Sequence, residues 1–183
     1  ETVRPELRIV VMSATLDTGP IAEYLGDCPV IASEGRRFPV DIQYLRKPDR
    51  RPMHVLAAEG VGRLLDRTDG DVLAFLPGIG EIRQMGRELE PLARQHDLSI
   101  MELYGDLPAA DQDAVLLPGT RRKIVLSTNV AETSVTIEGI TAVVDTGQAR
   151  KLRFDANIAL DRLELGPISQ ASADQRAGRA GRL

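Results

Sequence analysis

Short apolar runs of strand length alternate along the chain with longer stretches in which apolar residues return at helical spacing. That alternation predicts a mainly parallel sheet covered by helices. The runs predict strands at Arg8–Met12, Val30–Ala32, Val40–Leu45, Val72–Leu76, Ser99–Leu103, Lys123–Ser127 and Ala142–Asp145. The amphipathic stretches predict helices at Thr18–Leu25, Pro52–Arg67, Ile79–Gln95, Ala109–Leu116 and Ser169–Arg179. Runs such as Val72-Leu-Ala-Phe-Leu76 are apolar at every position, which fits strands buried on both faces. Pro52 suits the first turn of its helix, and Gly70-Asp71 the turn back into a strand. Between Gln148 and Gly166, two apolar-containing segments flank Asp155-Ala-Asn157, a turn sequence, and predict an antiparallel hairpin. The stretch Glu34-Gly-Arg-Arg-Phe-Pro39 mixes charge, glycine and proline and reads as a connection. It divides the chain into residues 1–35 and 36–183.

Composition narrows the classes. With 183 residues the chain is long enough for one substantial α/β domain and part of another. No window approaches a membrane span, and Glu1 opens neither a signal nor a transit peptide; the single cysteine fits a reducing compartment, and a cytoplasmic protein is expected. Cys28 is the single cysteine, so no internal disulfide or cysteine-cluster metal site can form. His54 and His96 are far apart and read as helix-surface residues. The net charge of -4 argues against a protein that coats nucleic acid by bulk attraction, although Arg121-Arg-Lys123 and Arg150-Lys-Leu-Arg153 are local basic clusters. With no tryptophan, three tyrosines and three phenylalanines, an aromatic base-stacking platform is not expected.

Candidate chemistry gathers after the strands. Ser13-Ala-Thr15, Pro77-Gly-Ile-Gly80, Tyr104-Gly-Asp-Leu-Pro108, Ser127-Thr-Asn129 and Asp145-Thr-Gly147 each follow a predicted strand. Ligands of open α/β sheets bind at that edge, where hydroxyls and amides beside helix N-termini suit anionic oxygens. Each loop alone is more readily an N-cap. The end of the chain is more pointed: in Gln175-Arg-Ala-Gly-Arg-Ala-Gly-Arg182, three arginines recur every third residue, with Gly178 and Gly181 between them. Guanidinium forks grip phosphate, and glycine lets another surface approach the backbone. A solvated basic helix end is the competing reading. Glu132 is a helix-capping glutamate or an acidic ligand, the cap being favoured. Glu138 is either a ribose contact or an exposed loop carboxylate.

These segments, in order, resemble the C-terminal part of the helicase core of the superfamily 2 DEAH-box RNA helicases. Ser13-Ala-Thr15 resembles motif III and Phe75-Leu-Pro-Gly78 motif IV. Tyr104-Gly-Asp-Leu-Pro108 resembles the backbone-contacting loop that follows. Ser127 to Gly139 resembles motif V and Gln175 to Arg182 motif VI, both long and specific. The resemblance implies a RecA-like, three-layer α/β/α fold of the P-loop NTPase type. Residues 1–35 would end a first RecA-like domain and residues 36–183 would form a second. ATP and Mg2+ would lie between the two domains. Arg179 and Arg182 would reach the γ-phosphate, and Gln175 would help place the attacking water, with Gly178 beside them. Thr136 and Glu138 would approach the ribose or metal-bound waters. Thr128, Asn129, Gly105, Pro77 and Gly78 would meet the RNA backbone, a sequence-independent and salt-dependent mode of binding. Ser13, Ala14 and Thr15 would couple nucleotide state to strand separation, and the hairpin would separate or bookend RNA strands. None of these residues is a metal ligand. Leu116 stands where the family often has an adenine-stacking phenylalanine, and Glu138 where it has aspartate. The chain contains neither a Gly-x-x-x-x-Gly-Lys-Ser/Thr loop nor an Asp-Glu-x-His segment, so these 183 residues are expected to be inactive alone. The rival readings are a nucleic-acid-binding or regulatory module without catalysis, and a DNA-directed helicase of the same superfamily.

Overall fold

Every second residue of an apolar strand faces the same way, so a run that is apolar throughout must be covered twice. The computed structural model, which describes residues 4, 7–12, 18–32, 38–133, 135–155 and 159–181, shows both covers. Strands β1 (Asp71–Phe75), β2 (Ser99–Leu103), β3 (Lys123–Ser127) and β4 (Ile140–Asp145) form a parallel sheet in the order β2-β3-β1-β4. Val72, Ala74, Ile124 and Leu126 point to one face, where they pack with Ala57, Val61 and Leu65 of α2 (Met53–Leu65) and Ile82, Met85 and Leu89 of α3 (Ile79–Gln95). Leu73, Phe75 and Val125 point to the other. There they meet Val115 of α4 (Ala109–Leu116), Ala131 of α5 (Val130–Thr133) and Ile137. The result is a three-layer α/β/α fold of RecA-like type.

The chain divides into two compact units, Glu1–Gly35 and Arg36–Leu183. The first contains α1 (Thr18–Tyr24), which ends where Gly26 and Asp27 turn into the left-handed region at φ 77° and 57°. The second contains the sheet and an antiparallel hairpin of β5 (Gln148–Asp155) and β6 (Leu160–Pro167), with Leu152 opposite Leu163. The chain then enters α6 (Gln170–Ala177), whose N-cap Ser169 accepts a hydrogen bond from the Ser172 amide at 3.2 Å.

Three predicted strands are not strands. Arg8–Met12, Val30–Ala32 and Val40–Leu45 carry no ladder among the described residues. Their apolar side chains stand in solvent, with Val10 78%, Met12 87% and Ile31 94% exposed. Apolar pattern supplies the face of a strand, but a neighbouring strand must supply the hydrogen bonds. The helix predicted at Ser169–Arg179 also changes character. It is α-helical to Ala177 and continues as a 3-10 turn over Gly178–Gly181, whose three-residue period matches the arginine spacing.

Two cations, buried Lys123 and half-buried Arg122, fasten the opposite, N-terminal end of the sheet. Lys123, 1% exposed, donates through Nζ to the carbonyls of Val115 at 2.8 Å and Leu117 at 2.7 Å, closing the end of α4. Arg122 donates to the carbonyls of Gly70 at 2.6 Å, Leu65 at 3.2 Å and Thr68, closing the end of α2.

Candidate nucleotide and nucleic-acid site

The C-terminal ends of the strands gather the motif segments, and Arg176 holds them together. It sits in the last turn of α6, 1% exposed. Its Nε donates to Glu132 of α5 at 2.9 Å and its Nη1 to Asp145 at the end of β4, also at 2.9 Å. The guanidinium lies 4.7 Å from the Phe75 ring centroid at the end of β1, and Nη1 also reaches the Gln148 carbonyl at 3.4 Å. A buried cation with two carboxylates and an aromatic face is satisfied by geometry alone. Four elements distant in sequence are thus tied to one side chain.

Glu132 binds on three sides. Its carboxylate accepts from Arg176 and from the Ser172 hydroxyl, and its backbone carbonyl accepts from Arg179 Nε at 3.0 Å. The favoured capping role is therefore corrected: both carboxylate oxygens face α6, because α5 is one turn long and lies against it. The solvated-helix reading of the arginine stripe is corrected as well. Arg179 is 6% exposed, and its guanidinium donates to the carbonyls of Glu132 and Val135.

The remaining expected site residues differ in exposure. Thr136 and Glu138 are exposed beside buried Ile137; Thr136 and Arg179 line one small cavity of about 10 Å³ with Leu73, Ala131, Ile137 and Ile140. Gln175 and Gly178 are half-buried next to Arg176 and Arg179, with open space where a Gly178 Cβ would stand. Asn129 and Gly105 are exposed and Thr128 is half-buried, its amide donating to the Leu103 carbonyl at 3.2 Å. Pro77 and Gly78, by contrast, are buried. Leu116 packs against the core cluster of Phe75 and Val125. Ser13, Ala14, Thr15 and Arg182 lie outside the described residues. Gly181 shows the close approach expected of a motif glycine: a Cβ there would stand 2.9 Å from the Phe38 carbonyl oxygen.

Sequence reasoning missed Arg150. This β5 residue forks onto Glu81 in the first turn of α3, with Nη1–Oε2 at 2.7 Å and Nη2–Oε1 at 2.9 Å. Arg150 holds the Glu81 carboxyl below its ordinary value, chiefly through this paired hydrogen bond. Only the basic cluster around Arg150 hinted at it. Among the described residues, no group of three or more His, Cys, Asp or Glu is placed to hold a metal ion, and no helix is long and apolar enough to cross a membrane.

A parallel sheet with its strand ends, two motif-bearing loops and an arginine-rich turn joined around one buried guanidinium defines a RecA-like domain of helicase type. Residues 56–183 match the helicase conserved C-terminal domain, and the chain belongs to that family. It is 44% identical over 183 residues to the ATP-dependent RNA helicase HrpB of Escherichia coli (strain K12), covering 99% of this chain and 22% of that protein. It is 39% identical over 185 residues to the ATP-dependent RNA helicase HrpA of the same organism, covering 98% of this chain and 14% of HrpA. Among solved structures, it matches the E. coli DExH-box NTPase HrpB with a TM-score of 0.85 at 44% identity, over 100% of this chain and 23% of that one. A second crystal structure, of the E. coli DEAH/RHA helicase HrpB, gives 0.86 with the same identity and coverage. The chain therefore spans less than a quarter of the curated relatives it matches.

Proposed function

We propose that residues 36–183 are the second RecA-like domain of an ATP-dependent RNA helicase of the HrpB type, and residues 1–35 the end of the first. The observation that carries this reading is the Arg176 hub, which presses the arginine-rich turn against the motif V segment at the sheet edge where α/β folds bind ligands. In this reading Arg179 and Arg182 stabilise charge on the γ-phosphate, and Gln175 orients water. Thr136 and Glu138 take the ribose or metal-bound waters, and Gly178 leaves room beside them. Among the described members, the exposed Thr136 and the guanidinium of Arg179, which line one small cavity, fit one edge of a nucleotide, while the Glu138 amide donates to the Leu116 carbonyl at 3.5 Å. Bound Mg2+ would neutralise phosphate charge, and its ligands would come from the facing domain.

Arg179 would have to exchange its carbonyl acceptors for phosphate oxygens, a favourable trade for a guanidinium. Thr128, Asn129 and Gly105 would receive single-stranded RNA through its backbone. Pro77 and Gly78, being buried, would act on RNA through the loop they shape. Ser13, Ala14 and Thr15 would relay nucleotide state between the domains.

The test is ATP turnover of the whole protein with RNA and with DNA, beside that of this chain alone. The reading expects RNA-stimulated turnover abolished by Arg179→Ala and Arg182→Ala, and none from the chain alone. Equal stimulation by DNA would indicate a DNA-directed helicase, and RNA binding without turnover a non-catalytic module.

A further inference from the structure

The β5–β6 hairpin leaves both faces to solvent: Leu152, Phe154 and Leu163 on one face are 66%, 62% and 61% exposed, and Lys151, Arg153, Arg162 and Glu164 on the other are exposed too. Its direction must therefore be set at its root. Three things meet there. Gly147 turns the chain at φ +70° between β4 and β5, and its carbonyl accepts from the Ile168 amide at 3.0 Å where β6 ends. Arg176 holds the Gln148 carbonyl. The third is the Arg150–Glu81 fork, which ties β5 to α3 on the far side of the root.

The fork crosses directly over Gly78. A Cβ on Gly78 would stand 1.9 Å from Arg150 Nη1 and 3.1 Å from Glu81 Oε2. The Gly78 backbone is extended, at φ -173° and ψ 174°, a conformation open to any residue. Glycine at position 78 is thus required by the guanidinium above it and not by the backbone.

We propose that Gly78, Glu81 and Arg150 form a latch that sets the angle of the hairpin against the α/β body. Arg150 and Glu81 are positioning residues for whatever the hairpin engages. A bidentate fork fixes direction as well as distance, which a lysine on the same strand does less well. Glu81 also lies in the first turn of α3, where the helix dipole favours its negative charge. The loop Phe75-Leu-Pro-Gly78 thereby shapes the hairpin root. That the hairpin acts on RNA strands rests on the helicase reading of the proposed function and on the family resemblance of the hairpin; that the latch orients it does not.

The chain itself provides the test. Spin labels are placed at Arg87→Cys on the exposed side of α3 and Leu163→Cys on the hairpin, in a Cys28→Ser background, and their separation is measured by double electron–electron resonance. The latch predicts one narrow distance, split or shifted by Gly78→Ala and by Arg150→Gln, and only partly restored, with a broader distribution, by Arg150→Lys. Because Gly78→Ala meets only the ends of two flexible side chains, Arg150 and Glu81, its melting temperature should stay near that of the parent. An unchanged narrow distance in both Gly78→Ala and Arg150→Gln overturns the proposal. A second arm uses the whole protein. There the latch, joined to the proposed function, predicts that Arg150→Gln, at a residue given no RNA contact, lowers RNA strand separation per ATP hydrolysed. A changed distance with unchanged strand separation would retain the latch and refute the hairpin's part in RNA.

Discussion

Replacing Arg176 by methionine keeps most of an apolar stem in place and removes the guanidinium that joins four elements. In the native chain Arg176 is 1% exposed, against 13% for Glu132 and 22% for Asp145. The substitution leaves two partly exposed carboxylates without the guanidinium that joined them, and takes the cation from the Phe75 face. Removing one partner of a buried pair costs about 3–5 kcal/mol. The lost cation–π contact contributes about 0.5–2 kcal/mol, while the partial exposure of the carboxylates moves the total toward the lower end. A loss of about 3–5 kcal/mol is a large share of the roughly 5–15 kcal/mol that holds a domain together. The assay is urea unfolding followed by far-ultraviolet circular dichroism, since the chain has no tryptophan. Arg94→Met is the control. It removes an i,i+4 pair with Glu90 whose partners are 76% and 58% exposed, and such pairs contribute about 0.3–0.5 kcal/mol. Adding Glu132→Gln and Asp145→Asn to Arg176→Met should recover part of the loss, because unpaired charge causes most of it. If Arg176→Met costs no more than Arg94→Met, the hub is decorative and the reasoning fails.

Other consequences concern single sites. The Glu81 carboxyl titrates below its ordinary value, so its stabilisation is present above pH 4.5 and is lost as pH falls through the lower folded value. The stabilities of the parent and Glu81→Gln should therefore converge on acidification, and parallel curves would contradict the pairing. Burial pushes the Lys123 ammonium below its ordinary value, so the folded chain releases that proton first and its burial penalty is relieved as pH climbs toward 10.5. Lys123→Met should abolish that alkaline gain. It should also lower stability at neutral pH by about 1–3 kcal/mol, because the Val115 and Leu117 carbonyls lose their donor. Gly139 holds φ +83° with Asp71 Oδ2 3.1 Å from where a Cβ would sit, so Gly139→Ala should cost about 1–2 kcal/mol by chemical denaturation. No measurable cost would mean the turn relaxes freely.

The central strands and the helices over them were legible because each carries its own period. Val72–Leu76 and Lys123–Ser127 are apolar at consecutive positions, and only a strand covered on both faces satisfies that. The hairpin was legible from its turn residues. The strands expected at Arg8–Met12, Val30–Ala32 and Val40–Leu45 fail for one reason: a ladder is a property of two segments and their apolar pattern describes one. Glu132 misled for a related reason. Its place near a helix start suggested a cap, whereas its partners Ser172 and Arg176 lie 40 and 44 residues away.

By itself the sequence determined the alternation of strands and helices, the polar loops after each strand and the regular spacing of Arg176, Arg179 and Arg182. Each of these is local, set by side-chain size, polarity and backbone freedom within a few residues. Only the tertiary structure decided that Arg176 and Arg179 turn inward, that Glu132 and Asp145 converge on one guanidinium, and that Arg150 crosses Gly78 to reach Glu81 from 69 residues away. Packing makes those choices, because burying a charge is tolerable only where several distant elements deliver its partners together.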